Sequence, residues 1–157
     1  MRAFAWLACL FPCFTTPLAA AINENGMSPL LLASYFGSAN ACDALLGAKA
    51  DIQLMGPDMT PCLIFAVSQN HVHVVDVLTS KYGDIVDQTR TANQNVTALY
   101  LACQENLVEC TRLLLTHSTV ALEQCKTGGV SPLYIAAHEG HTACVELLLN
   151  AKAEVSE

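Results

Sequence analysis

A chain of 157 residues has room for one domain and hardly two; this one is 53% hydrophobic, only 13% charged, and carries a net charge of −7. A composition so apolar excludes intrinsic disorder, and the length allows a core without disulfide or metal staples. The acidic balance argues against nucleic acid as the main partner, because phosphate binding calls for a basic surface.

The first element is an apolar leader over residues 1–21. Residues 3 to 23 carry no charge, with Arg2 before them and Glu24 after, and the aromatics Phe4, Trp6, Phe11 and Phe14 fall inside. Three readings stand. A secretory signal has a basic start, an apolar stretch and a small-residue cleavage site; Arg2, Ala3–Phe11 and Ala19-Ala20-Ala21 supply all three. A signal-anchor needs about 20 apolar residues, and Pro12, Thr15, Thr16 and Pro17 interrupt that length. The third reading is a degenerate leading unit, or an extension packed on the first helices.

Beyond the leader the chain repeats itself. Gly26-Met27-Ser28-Pro29-Leu30-Leu31-Leu32-Ala33 is echoed by Met59-Thr60-Pro61-Cys62-Leu63-Ile64-Phe65-Ala66. Val96-Thr97-Ala98-Leu99-Tyr100-Leu101-Ala102 and Gly129-Val130-Ser131-Pro132-Leu133-Tyr134-Ile135-Ala136 follow. The runs end at Gly37, Asn70, Asn106 and Gly140, which are 33, 36 and 34 residues apart. A second apolar run comes after each break: Ala41–Leu46, Val74–Leu78, Cys110–Leu115 and Cys144–Leu149. Three units close on a related exit: Ala48-Lys49-Ala50-Asp51-Ile52, Tyr82-Gly83-Asp84-Ile85 and Ala151-Lys152-Ala153-Glu154-Val155.

Each piece has a physical meaning. Ser or Thr before Pro starts a helix, the hydroxyl accepting an orphan backbone N–H and Pro sitting where no N–H is needed. The first helix of each unit is about two turns long and nearly all apolar, so it is buried on most sides. Gly stops it, and Asn takes the same left-handed conformation at some cost. In the second helix, Val74, Val77 and Leu78 face inward while Asp76, Arg112 and Glu146 face out. The exits read as extended chain.

This pattern resembles the ankyrin repeat, with its period of about 33 residues and its Thr-Pro-Leu-His-x-Ala signature. The resemblance covers residues 22–157, in units at about 24–53, 56–86, 93–122 and 127–156. It implies an all-α repeat solenoid of stacked helix-turn-helix units with short β-hairpin-like loops. The sequence departs from the pattern in three places. Leu31, Ile64, Tyr100 and Tyr134 replace the motif His, the second unit has one extra residue around Cys62, and the third lacks the usual exit. The last helix is as apolar as an internal one. The C-terminal end therefore reads as poorly capped: either the array continues or something docks there.

The eight cysteines do not read as a disulfide framework. Cys110 and Cys144 are equivalent positions of adjacent units, and stacked helices lie about 8–10 Å apart, beyond the roughly 7 Å a disulfide spans. Cys42 is one place further on in the first unit, and Cys103 replaces a buried Ala. Buried reduced thiols are expected, and they fit a cytosolic compartment. Cys9, Cys13 and Cys125 have no such assignment. His138-Glu139-Gly140-His141 falls short of a zinc protease motif, which needs its histidines four apart on one helix. His71-x-His73 and His138-x-x-His141 read as inter-helix turns. Gly128-Gly129 reads as a hairpin turn rather than a phosphate cradle. No catalytic constellation, metal set or cofactor motif is read, so an enzyme is not expected. Asn95-Val96-Thr97 is a glycosylation sequon that matters only if the leader directs secretion; otherwise it is a hairpin tip.

The resemblance implies that a protein partner contacts the hairpin tips and the exposed side of the first helices, along the concave face. Those positions are Glu24, Asn25, Met27, Tyr35 and Phe36 in the first unit, and Asp58, Met59, Ser68 and Gln69 in the second. They are Gln94, Val96, Gln104 and Glu105 in the third, and Thr127, Val130, His138 and Glu139 in the fourth. Tyr35-Phe36 suits a binding anchor, unless the leader folds back over it. Glu24, Glu105 and Glu139 favour a partly basic partner. The expected function is a non-catalytic cytoplasmic scaffold or adaptor that binds protein and not nucleic acid, touching a membrane only if the leader is a signal-anchor. The alternatives are a secreted or membrane-tethered protein, or a fragment of a ubiquitin-ligase adaptor of the ankyrin-repeat-and-SOCS-box type.

Overall fold

The computed structural model describes residues 21–86, 96–117 and 129–151. The described part opens with a tight turn at Asn23–Met27. The Asn23 backbone N–H donates to the Met27 carbonyl at 3.0 Å, the Asn23 side-chain oxygen accepts from the Met27 and Asn25 N–H groups, and Gly26 takes φ +74°.

Among the described residues eight helices follow: α1 (Pro29–Tyr35), α2 (Ala39–Gly47), α3 (Cys62–Ser68), α4 (Val72–Val86), α5 (Ala98–Gln104), α6 (Val108–His117), α7 (Pro132–His138) and α8 (Thr142–Asn150). A 3₁₀ turn, Pro57–Met59, precedes α3. No strand occurs among the described residues. The odd-numbered helices pack on one another in a row, as do the even-numbered ones, and each odd helix packs on the even helix after it. The result is a two-layer stack of four helix pairs.

Local chemistry sets these boundaries. Ser28, Thr97 and Ser131 each accept the N–H of the residue three further on, capping α1, α5 and α7. The four breaks all adopt the left-handed conformation: Gly37 at φ +77°, Asn70 and Asn106 at +56°, Gly140 at +75°. The second unit differs at its start. Its first helix is also seven residues long, but Pro61 lies outside it as the N-cap and no side chain caps it. The extra residue of that unit is thus absorbed before the helix, not within it.

One exit departs from the sequence reading. Tyr82-Gly83-Asp84-Ile85 is not extended: α4 runs on to Val86 through a kink at Tyr82, whose φ is −137°. In the first unit Lys49 turns left-handed at φ +61° before Ala50 and Ile52 return to the core. The irregular exit expected after the third unit lies outside the described residues.

The core is built from the first-helix pairs Leu30/Leu31, Leu63/Ile64 and Leu99/Tyr100 with Val74, Val75, Leu78, Leu114 and Leu148 from the second layer. Burying side chains of this size supplies about 1.5–3 kcal/mol each relative to exposure. Cys42, Cys62, Cys103, Cys110 and Cys144 are buried and free of disulfides, as the repeat register requires. Burial pushes the thiols of Cys62 and Cys103 up to about 12. It pushes Cys110 up to about 11, with the neighbouring Glu109 carboxylate adding to the effect. They are protonated hydrophobic fillers at neutral pH.

Polar bonds tie neighbouring units together. The thiols of Cys110 and Cys144 donate to the side-chain oxygens of Asn70 and Asn106, each at 3.6 Å. Each Asn carboxamide thus gains a partner in the following unit. His71 Nε2 donates to the Tyr35 carbonyl and His141 Nδ1 to the Cys103 carbonyl, both at 2.9 Å. A carbonyl only accepts, so each bond requires its ring nitrogen to carry the proton. These inter-helix histidines are therefore cross-unit struts.

Candidate partner-binding surface

The first helices end in exposed residues, and the turns that precede them stand alongside. In the first two units these features enclose an apolar groove of about 310 Å³, lined by Met27, Leu32, Tyr35, Phe36, Pro57, Thr60 and Phe65. No lining residue is charged. Tyr35 stands edge-on to Phe36 at 5.2 Å and edge-on to Phe65 at 5.8 Å, which are favourable aromatic geometries. Phe36 is nevertheless 73% exposed. Gly56 lies under the groove. A Cβ there would come within 2.9 Å of the Phe65 ring and 3.3 Å of the Met27 sulfur, so the missing side chain gives these residues their room.

Of the expected contact residues in these units, Met27, Tyr35 and Phe36 come together in the groove. Glu24 and Asn25 are exposed on the first turn. Met59 is 62% exposed and left-handed at φ +53°, while Asp58 is placed only by its backbone in the 3₁₀ turn. Ser68 and Gln69 are exposed at the end of α3, with the Ser68 hydroxyl donating to the Phe65 carbonyl at 2.9 Å. Leu32, Pro57, Thr60 and Phe65 were not expected in the site. Phe65 carries a legible signal: the equivalent positions are Leu32, Leu101 and Ile135, and only the second unit places an aromatic there.

The third and fourth units present a different surface. Gln104 Nε2 donates to Glu105 at 3.2 Å. His138 Nδ1 lies 3.0 Å from a Glu139 carboxylate oxygen, and the His138 ring stacks on Tyr134 at 6.2 Å. Tyr100 lies beneath; burial first, and the Glu139 carboxylate second, push its phenol up. Val96 and Val130 are half-buried at the starts of the helices. Gln94 and Thr127 lie outside the described residues.

Tyr100 and Tyr134 occupy the same motif position, yet one is 4% exposed and the other 61%. The fourth unit covers Tyr100, while Tyr134 and Leu149 are left facing outward. No group of three or more His, Cys, Asp or Glu residues able to hold a metal ion occurs among the described residues. No described helix is long and apolar enough to cross a membrane.

Comparison with known proteins bears on this architecture. The family model for ankyrin repeats, in three copies, matches residues 63–157. An ankyrin repeat and KH domain-containing protein of Caenorhabditis briggsae is 29% identical over 130 residues, covering 81% of this chain. The matched region is 5% of that relative's own length.

Proposed function

The chain belongs to the ankyrin-repeat family, whose repeats are generally protein–protein interaction modules, and from that premise we propose that it is a non-catalytic adaptor binding a protein partner on its concave face. The observation that carries this reading is the aromatic groove of the first two units, where Phe36 is largely solvated beside an uncharged recess. An exposed aromatic next to a pocket has the chemistry of an interface anchor. The partner inserts an apolar side chain there and lays a partly basic segment along Glu105 and Glu139. The charged half then steers association and selects the partner more than it adds affinity. The five buried, unbridged thiols suit a reducing compartment, so the adaptor works in the cytoplasm.

The test is to recover partners from cells with the full chain and to measure their affinities by calorimetry. Phe36→Asp is expected to weaken binding about thirtyfold, the loss of roughly 2 kcal/mol typical of a hot spot. Glu146→Lys, on the exposed side of α8, is expected to leave it unchanged. A partner lost through Glu146→Lys and indifferent to Phe36→Asp would place binding on the other face and sink the proposal. Fractionation with N-terminal sequencing decides the compartment. A mature chain beginning near Ile22 outside the cell would replace the cytoplasmic adaptor with a secreted one.

A further inference from the structure

The last turn of α7 carries a combination found in no other unit. Tyr134 and His138 stand one helical turn apart, their rings stacked 15° from parallel at 6.2 Å. Both are exposed, Tyr134 at 61%. Beside them a Glu139 carboxylate oxygen lies 3.0 Å from His138 Nδ1. A carboxylate only accepts, so Nδ1 carries the proton and holds the carboxylate at the rim of the rings. At the same three positions the first unit has Leu31, Tyr35 and Phe36, with no charge. The second has Ile64, Ser68 and Gln69, with no ring, and the third has Tyr100, Gln104 and Glu105. Leu31, Ile64 and Tyr100 are all buried. Among the described residues, only the fourth unit puts two near-parallel rings and a carboxylate on one open surface.

Charge and shape together select what fits there. Glu105 stands at the end of α5, which packs on α7. Among the described residues of units three and four the only Lys or Arg is Arg112, which lies in the other helix layer on α6 and pairs with Glu109 at 3.1 Å. A ring face attracts a cation through its quadrupole, and a carboxylate at the rim attracts the same cation and repels an anion. A guanidinium is planar, so it can lie flat on a ring while its N–H groups fork onto a carboxylate, and it is less strongly hydrated than an ammonium. We propose that Tyr134, His138 and Glu139 form a docking site for an arginine side chain of the protein partner. The guanidinium stacks on the Tyr134 ring and donates to the Glu139 carboxylate, while Glu105 reinforces the negative field one helix away. This rests on the adaptor reading and sharpens it, because the basic segment is then anchored by arginine at the fourth unit. The test involves no partner, so the two can fail separately.

The probe is the blocked tripeptide acetyl-Gly-Arg-Gly-amide, titrated at low salt into the isotope-labelled full chain and followed by NMR. Saturable shifts are expected at Tyr134, His138 and Glu139, with a dissociation constant in the millimolar range that suits a single side chain, and weaker binding as salt rises. Citrulline in place of arginine keeps the shape without the charge and should bind about fivefold more weakly or worse. Lysine in its place should bind about twofold more weakly or worse. Tyr134→Ala, at an exposed position, should cost about two- to fivefold, the range of an exposed cation–π contact. Tyr134→Phe should keep the affinity, and Glu139→Gln should cost about two- to threefold. Far-ultraviolet circular dichroism checks that each variant is folded. Phe36→Asp, in the other half of the stack, should change nothing. The proposal is overturned if the arginine peptide gives no saturable shift at these residues, or if the citrulline or lysine peptide binds as tightly. Full affinity in Tyr134→Ala or Glu139→Gln overturns it too. So does a loss in Tyr134→Phe equal to that in Tyr134→Ala, which would move the contact from the ring face to the phenol oxygen. Arginine binding that passes these tests beside a partner indifferent to Phe36→Asp would leave this site standing and remove the aromatic groove from the adaptor reading.

Discussion

The two halves of the stack share one template and differ in what they turn outward. Units one and two gather Met27, Tyr35, Phe36 and Phe65 around an uncharged recess, whereas units three and four offer the hydrogen-bonded pairs Gln104–Glu105 and His138–Glu139. The inner first helices α3 and α5 are the most fully buried, because each lies between two neighbours, whereas α1 and α7 each have one. On the adaptor reading, specificity is written in the few positions the stacking leaves free, and the fold is indifferent to how they are filled.

The sharpest way to separate the halves uses one motif position twice. Gly37 and Gly140 are equivalent left-handed glycines, but a Cβ on Gly37 would come within 2.6 Å of the His71 ring, while one on Gly140 meets nothing within 4 Å. Gly140→Ala should cost only the left-handed backbone, about 1–2 kcal/mol. Gly37→Ala should also dislodge His71 from the Tyr35 carbonyl, for a total of about 2–4 kcal/mol. Urea unfolding of both variants checks this; equal losses would mean that the His71 strut contributes nothing.

Alkaline pH should strike through the thiols. For Cys62, Cys103 and Cys110 the folded-state value is raised to about 12, 12 and 11. The unfolded chain therefore loses these protons first as pH rises. Their contribution is intact below about pH 8.5 and falls by up to about 1.4 kcal/mol per thiol per pH unit above it, until the folded-state values are reached. Two of the three lie in unit three, so Cys103→Ala with Cys110→Ala should remove most of this thiol-linked slope. Melting temperatures at pH 7.5, 8.5 and 9.5 measure it.

The smallest effect belongs to the polar half. Glu105→Lys or Glu139→Lys should weaken a basic partner by less than about 1 kcal/mol and lower the salt dependence of its association rate. A loss rivalling that of Phe36→Asp would invert the division into anchor and steering halves.

Most of the scaffold could be read from the sequence because it rests on local chemistry. Ser28, Thr97 and Ser131 cap their helices as hydroxyls before a helix start should, and the four breaks are left-handed as Gly and Asn allow. At Tyr82 sequence and structure part, because Tyr-Gly-Asp-Ile carries the exit pattern while the structure adds another helical turn after the kink. The groove was legible only in its first-unit half. Tyr35 and Phe36 announce themselves as aromatics at exposed positions, but Phe65 sits inside an apolar run whose other members are core, and only its contrast with Leu32, Leu101 and Ile135 marks it. Its role depends on the space left over Gly56, which no periodicity encodes.

The thiol–carboxamide pairs bear on how such a stack could lengthen. Asn70 and Asn106 each need a donor four residues past the break of the following unit, where Cys110 and Cys144 stand. Gly37 makes no such demand, and its successor carries Val74 there. The third unit holds both halves of the match, a cysteine for the unit before it and an asparagine for the unit after. A tandem copy of that unit would therefore satisfy the junctions on either side of it, whereas a copy of the first unit placed after the second would set Ala41 against Asn70 and leave the carboxamide without its thiol. The copy would keep both thiol–carboxamide pairs and give up one strut, since its Leu107 would stand where His141 now donates to the Cys103 carbonyl.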